Sequence, residues 1–193
     1  MNLMPILMTA LLLAGCSGDD GWRTKDITGI MPDLELSLTG EDGTTITEQA
    51  FRGEPLAVYF GYTHCPDICP ATLGKLRLAI GRLPEDEQNG LRVLFISVDP
   101  RRDDPSTLAE YTRYFGPQFV GATADQRTLE ALARRYRATF GYGQPDAEGD
   151  YTVSHPSAVY VFDGQGHIRL LMRGDDPPEA MAHDFAQLME QAG

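Results

Sequence analysis

Cysteine, positive charge and long apolar runs are all scarce in this sequence of 193 residues. Its three cysteines, Cys16, Cys65 and Cys69, are too few for a disulfide scaffold, so the fold must depend on a hydrophobic core. A hydrophobic fraction of 42% is sufficient for such a core. The 16 Lys and Arg residues against 28 Asp and Glu residues give a formal net charge of −12. This charge would repel a phosphate backbone, so the sequence disfavours nucleic-acid binding.

An apolar run near the N-terminus is too short to cross a membrane as a helix. Residues 6–14 are almost wholly apolar, whereas a transmembrane helix needs about twenty such residues. The run is typical of a signal-peptide core, and residues 13–16 (Leu-Ala-Gly-Cys) resemble the lipobox of bacterial lipoproteins. We therefore expect a lipoprotein signal peptide over residues 1–15 and a lipid on Cys16. The alternative is an ordinary signal peptide with an incidental cysteine.

The segment after Cys16 is expected to link the lipid to a single domain. Small, polar and acidic residues predominate there, so we predict that residues 16–29 comprise the lipidated cysteine and a flexible tether. Residues 30–193 are then one domain of ordinary size. The expected location is extracytoplasmic, on the periplasmic side of a bacterial membrane, where Cys65 and Cys69 could cycle between thiol and disulfide.

Strand and helix patterns alternate along the predicted domain. Continuous apolar runs typical of buried strands occupy residues 56–61, 91–98 and 158–162. Helical spacing of apolar residues predicts helices over residues 70–83, 106–114, 129–136 and 181–189. Two short strands are predicted at residues 34–38 and 44–47. Residues 139–150 are predicted to form a hairpin or long loop, and residues 167–172 the second strand of a terminal hairpin. Because crossovers of this length favour parallel strands covered by helices, we predict an α/β, thioredoxin-like fold with an N-terminal β-strand extension.

The two cysteines of the domain are placed where redox or metal chemistry is expected. Cys65 and Cys69 lie between the predicted strand at 56–61 and the following helix, and ligand sites gather at the carboxyl ends of such strands. The helix N-terminus is expected to stabilise a thiolate at Cys69. A spacing of about one helical turn lets both sulfurs face the same side. The pair is therefore predicted to bind a soft metal such as Cu(I) or to exchange thiol and disulfide.

Two sulfurs leave a metal ion under-coordinated, so the four histidines are candidate third ligands. His183 is expected to be solvated, His167 to be peripheral, and His64 to have a structural role beside the cysteines. Two nearby acids, Asp67 and Asp99, could tune the site or contact a partner, but loop solvation and helix capping are the favoured interpretations.

His155 is the strongest candidate among the histidines. It lies immediately before the strand at 158–162, and Pro156 holds it in an extended conformation. In a thioredoxin fold this strand is antiparallel to the one that leads into Cys65, so both loops meet at one sheet edge. From position alone, a metal ligand and a hydrogen-bonded loop histidine are equally good interpretations.

Three motifs occur in order along the domain. They are residues 60–70 (FGYTHCPDICP), residues 97–101 (SVDPR) with Asp103, and residues 151–155 before Tyr160. Together they resemble the Sco/SenC family of copper-binding thioredoxin-fold proteins, over about residues 30–190. The family often has an aspartate before the histidine, where this sequence has Ser154. A carboxylate that orients the imidazole is therefore absent or supplied elsewhere.

The resemblance implies a ligand set and a client. Cys65, Cys69 and His155 would bind copper, as Cu(I) and also as Cu(II). The protein would then be a membrane-tethered copper chaperone that delivers copper to the CuA site of cytochrome c oxidase subunit II. The alternative is a thiol–disulfide oxidoreductase in which Cys65 and Cys69 are the redox groups that reduce client cysteines. The two functions differ in their need for His155.

Overall fold

The structure is a computed structural model that describes residues 21–191. Within these residues, strands and helices alternate around one large sheet. The strands are β1 (Lys25–Asp26), β2 (Ser37–Gly40), β3 (Thr45–Thr47), β4 (Leu56–Gly61), β5 (Arg92–Ser97), β6 (Phe119–Thr123), β7 (Gly141–Tyr142), β8 (Val153–Ser154), β9 (Val159–Phe162) and β10 (Ile168–Met172). The helices are α1 (Ile68–Ile80), α2 (Pro105–Arg113), α3 (Gln126–Arg135) and α4 (Pro178–Glu190).

The large sheet has the strand order β1-β10-β9-β4-β5-β6-β2-β3. The three strands β4, β5 and β6 are parallel, and β9 is antiparallel to β4 with Tyr59 opposite Val159. The end of β4 and the start of β9 therefore lie at the same edge. The short strands β2 and β3 form the N-terminal extension, in which β2 pairs antiparallel with both β3 and β6. The predicted thioredoxin-like fold with an N-terminal β-strand extension is confirmed.

The hydrophobic core surrounds the two central strands. Every residue of β4 is buried, as is β5 from Val93 to Ser97, which explains the continuous apolar runs in the sequence. Helix α1 packs against α4, and α2 packs against β6. This packing holds the end of β4 and the start of α1 in fixed positions.

One central strand was not predicted from the sequence. Strand β6 contains Gly121, and glycine is unfavourable in a strand interior because it offers no side chain to pack. The glycine is required here because a Cβ at position 121 would lie 2.8 Å from Leu108 Cβ of α2. Because α2 packs so closely on β6, the sequence has a glycine where an apolar side chain would have continued the strand pattern.

All four helices begin earlier than predicted, α3 at Gln126 and α4 at Pro178. Helix α1 starts at Ile68 instead of at Pro70. Helix α2 starts at Pro105, and its N-cap is Asp104, whose carboxylate accepts a hydrogen bond from the Thr107 amide. An aspartate before a proline is a good helix start, and it competes successfully with Ser106.

The expected tether at residues 16–29 is wrong in its C-terminal part. The buried Asp184 carboxylate accepts hydrogen bonds from the amides of Arg23 and Thr24 and from the Thr24 hydroxyl, at 2.7–2.9 Å. Strand β1 then pairs with β10. Residues 23–26 thus belong to the domain, while the expected signal peptide at 1–15 and lipidated Cys16 lie outside the described residues. Between residues 21 and 191, the model has no helix with the length and apolar character needed to cross a membrane.

Candidate metal centre

The loop between β4 and α1 carries both cysteines at one edge of the sheet. Cys65 lies in the loop, and Cys69 lies in the first turn of α1. Both are free thiols, and the Cys69 amide donates a hydrogen bond to Cys65 Sγ over 3.4 Å. Cys69 is fully buried, whereas Cys65 is 8% exposed. Cys65 is therefore the more accessible of the two sulfurs.

His155 brings a third donor atom to the two sulfurs. Its Nε2 lies 3.4 Å from Cys69 Sγ, although the residues are 86 positions apart in sequence. The ligand atoms of Cys65, Cys69 and His155 all lie within 4.8 Å of one another. Among residues 21–191, this is the one group of three His, Cys or acidic side chains close enough to hold a metal ion.

The imidazole of His155 is oriented by its own loop. Its Nδ1 lies 3.1 Å from the carbonyl oxygen of Pro156, which can only accept a hydrogen bond. Nδ1 therefore carries the proton, and the Nε2 lone pair is free to bind a metal. The carboxylate expected from an aspartate at position 154 is replaced by a backbone carbonyl. Burial lowers the pKa of His155, which keeps the ring neutral.

Burial outweighs the helix N-terminus at Cys69. We expected the helix dipole to stabilise a Cys69 thiolate, but desolvation raises the pKa of this thiol to about 12. The free thiol at Cys69 is thus protonated at neutral pH, and metal binding there must displace the proton. The backbone N–H of the first turn is directed at the Cys65 sulfur instead.

Two residues beneath the cysteines were not identified from the sequence. A Cβ on Gly61 would lie 2.6 Å from Cys69 Sγ and 2.7 Å from Phe95 Cε2, so only glycine fits. The buried Tyr59 hydroxyl lies 3.7 Å from the same sulfur, within hydrogen-bond distance. The position of Gly61 at the end of a buried strand was the one available signal. Tyr59 resembled an ordinary core residue.

Asp103 fixes the cysteine loop to the sheet. Its fully buried carboxylate accepts hydrogen bonds from the Thr63 amide at 2.8 Å and the Thr63 hydroxyl at 2.6 Å. The Ser97 hydroxyl of β5 donates to the same carboxylate. His64 is half exposed, with Nδ1 3.6 Å from Asp103, and is not one of the three clustered donors. Its expected structural role beside the cysteines agrees with this position.

Asp99 holds the segment that leads to His155. Its carboxylate is fully buried and accepts hydrogen bonds from Arg102 Nε at 2.6 Å and Tyr151 Oη at 2.7 Å. The Arg102 guanidinium lies 3.8 Å from the Tyr151 ring centroid. The interpretation of Asp99 as loop-solvating is therefore wrong. Asp67 is exposed and stands at the N-cap of α1, but its side chain makes no capping hydrogen bond.

The two remaining histidines lie outside the cluster of donors. His167 is exposed beside Asp163, as expected of a peripheral residue. His183 is only 21% exposed, with its Nδ1 3.0 Å from the buried Asp184 carboxylate, so the expectation that it is solvated is wrong. The Asp184 carboxylate, which accepts hydrogen bonds from Arg23 and Thr24, therefore also contacts His183.

Two sulfurs and one imidazole nitrogen define the chemistry available at this edge. Thiolates are soft ligands that select Cu(I), and imidazole suits copper in both common oxidation states. The same two thiols can close into a disulfide, because they are adjacent and unpaired. The donor set fits a copper ion, and the sulfur pair by itself fits thiol–disulfide exchange.

Comparison with known proteins identifies relatives over most of the chain. The sequence model of the SCO1/SenC family matches residues 33–190. The mitochondrial protein SCO2 homolog of Mus musculus is 33% identical over 175 residues, which cover 83% of this chain and 69% of the mouse protein. A crystal structure of Arabidopsis thaliana ScoI with copper bound has a TM-score of 0.75 and 30% identity, covering 82% of this chain and 98% of that chain.

The chain spans less than half the length of some curated relatives. The mitochondrial protein SCO1 homolog of Homo sapiens is 36% identical over 134 residues, which cover 69% of this chain and 44% of the human protein. The match to the family model, over residues 33–190, includes Cys65, Cys69 and His155. On this match and on the likeness of the folds, the chain belongs to the SCO1/SenC family.

Proposed function

We propose that this protein binds one copper ion through Cys65 Sγ, Cys69 Sγ and His155 Nε2 and passes it to a client protein. The observation that carries the proposal is the convergence of these three donor atoms within 4.8 Å. A relative of similar fold has been solved with copper bound, which supports copper as the ion. Copper is the cargo of the protein, and its binding displaces protons from both thiols.

The unequal burial of the sulfurs suggests how the ion is released. Cys69 is fully buried, whereas Cys65 is 8% exposed, His155 is half-buried, and Pro66 and Asp67 beside Cys65 are exposed. An incoming thiolate of the client would contact copper from the side of Cys65 and His155 and replace one of these ligands before the buried Cys69. Stepwise ligand exchange keeps the ion bound throughout, so transfer needs no free copper.

The resemblance to the Sco/SenC family supports the CuA site of cytochrome c oxidase subunit II as the client. We propose that transfer takes place on the periplasmic side of a bacterial membrane, with the protein anchored by a lipid on Cys16. Two or more acyl chains give a stable anchor. In membrane fractionation, Cys16→Ser should release the protein to the soluble fraction, and continued membrane association would contradict the lipid anchor.

Transfer is tested by mixing the copper-loaded protein with a CuA domain whose cysteines are reduced. Copper should appear in the CuA domain even when a chelator is present to trap free copper. Equal rates with and without the chelator support ligand exchange between the two proteins. A loaded protein that retains its copper in the presence of the reduced domain would contradict this client.

The adjacent free thiols also support a second function, thiol–disulfide exchange. Cys65 would attack a client disulfide because it is the more accessible sulfur, and Cys69 would resolve the mixed disulfide. This activity does not need His155 as a ligand. Reduction of a client disulfide that survives in His155→Ala, together with copper binding that does not depend on His155, would favour this function over the chaperone.

A further inference from the structure

A buried hydroxyl group lies directly beside the inner sulfur of the site. Tyr59 is the fourth residue of β4, and its side chain is fully buried. Its hydroxyl oxygen is 3.7 Å from Cys69 Sγ, and the hydroxyl donates to that sulfur. The rings of Tyr59 and His155 also form a T-shaped contact, with ring centroids 6.0 Å apart and an interplanar angle of 77°. Tyr59 therefore contacts two of the three donor side chains.

Thr72 is a second polar neighbour of the Tyr59 hydroxyl. It lies on α1, three residues after Cys69, and is buried. Burial raises the pKa of Tyr59, so its hydroxyl keeps the proton that it donates to Cys69 Sγ.

A second tyrosine near the sulfurs has no such contact. The Tyr111 hydroxyl is buried and finds no hydrogen-bond partner in the described part of the chain. The ring packs between Phe95 and Phe115, with centroids 5.2 and 5.3 Å away. Tyr111 lies close enough for the charges on Cys65 and Cys69 to affect it. Tyr111→Phe is therefore a matched control for Tyr59→Phe, because it removes a tyrosine hydroxyl near the same sulfurs without loss of a hydrogen bond.

We propose that Tyr59 is a positioning residue that stabilises the reduced forms of the site through its hydrogen bond to Cys69 Sγ. A donor to a thiolate sulfur withdraws electron density from it, and hydrogen bonds around a cysteine sulfur tune the potential of copper sites. The bond favours Cu(I) over Cu(II), and in the copper-free protein it favours the Cys65–Cys69 dithiol over the disulfide. The copper part of this inference rests on the proposed function, and the dithiol part does not.

The test compares Tyr59→Phe and Tyr111→Phe in the full chain with Cys16→Ser, which removes the third thiol. Tyr59→Phe should still bind one Cu(I), but the ratio of Cu(I) to Cu(II) affinity should fall on the order of fivefold, the usual effect of one neutral hydrogen bond. The Cu(II)–thiolate charge-transfer band should move to lower energy, because the sulfur becomes a better electron donor. Tyr111→Phe should leave the ratio and the band unchanged.

The copper-free measurement separates this inference from the proposed function. In glutathione buffers, the dithiol–disulfide equilibrium of Tyr59→Phe should shift toward the disulfide. An unchanged equilibrium in Tyr59→Phe, or equal shifts in Tyr59→Phe and Tyr111→Phe, would overturn the inference whether or not the protein binds copper. A wild-type protein that takes up no copper would overturn the proposed function alone.

Discussion

Cys69 Sγ lies 2.6 Å from the position that a Cβ on Gly61 would occupy, so the end of β4 has no room for a side chain beneath the site. Gly61→Ala should displace the Cys69 sulfur or the Phe95 ring, at a cost of about 1–3 kcal/mol from overpacking. Copper affinity should also fall in Gly61→Ala, because the Cys69 sulfur is one of the ligand atoms. Urea unfolding and Cu(I) competition titration measure the two effects.

The control for Gly61 is Gly74 on α1, where an added Cβ meets nothing within 4 Å. Gly74→Ala should leave copper binding intact and stabilise the protein by up to about 1 kcal/mol, because alanine favours the helix. If Gly61→Ala binds copper as tightly as Gly74→Ala, the close packing beneath Cys69 does not position the sulfur.

The Asp103 carboxylate is predicted to hold the cysteine loop in place. Asp103→Ala leaves the Thr63 amide, the Thr63 hydroxyl and the Ser97 hydroxyl without their acceptor. Each buried unsatisfied group costs about 1–3 kcal/mol, so the variant should be strongly destabilised and bind copper weakly. Asp104→Ala removes the neighbouring helix cap instead and should cost about 1 kcal/mol without affecting copper. Equal copper affinity in the two variants would contradict the role of Asp103.

Asp184 should hold residues 23–26 against the domain. Asp184→Ala removes the acceptor of three hydrogen bonds from Arg23 and Thr24. Hydrogen exchange of the amides at residues 23–27 should then become faster, while exchange in β4 and copper binding remain unchanged. Amide protection at residues 23–27 equal to that of the wild type would show that pairing of β1 with β10 suffices to hold this segment.

Acid should destabilise the copper-free protein partly through His155. Burial lowers the pKa of this residue below its unfolded value, so the unfolded state binds the proton more readily. The stability that the neutral ring contributes is complete above pH about 6.5 and is lost as pH falls toward the lower folded pKa. Chemical denaturation between pH 7.5 and 5 should show a smaller loss in His155→Gln than in the wild type. An identical loss in both proteins would contradict the assignment.

Local patterns predicted the elements that carry the site. The run of apolar residues gave the bounds of β4 exactly as observed, and the placement of His155 before an antiparallel neighbour brought it to the same edge as Cys65. These predictions succeeded because strand burial, helix spacing and sheet direction are encoded over short stretches of chain.

The features that could not be predicted depend on contacts between distant segments. Strand β6 contains Gly121 because α2 approaches it closely, and β1 is held by Asp184, which lies about 160 residues later. The protonation state of Cys69 also depends on distant segments and could not be predicted. Its helix position indicated a stabilised thiolate, but the surrounding core desolvates the sulfur and raises its pKa to about 12.

The central claim is that His155 joins the two cysteines in one copper site. An anaerobic Cu(I) titration of the reduced protein in the Cys16→Ser background tests it, with His155→Ala beside His167→Ala as the exposed control. The account predicts one copper per chain, tight binding in His167→Ala and clearly weaker binding in His155→Ala. It also predicts loss of tight binding in Cys65→Ser and Cys69→Ser. Binding that is indifferent to His155, or one tightly bound copper in either cysteine variant, would contradict the site.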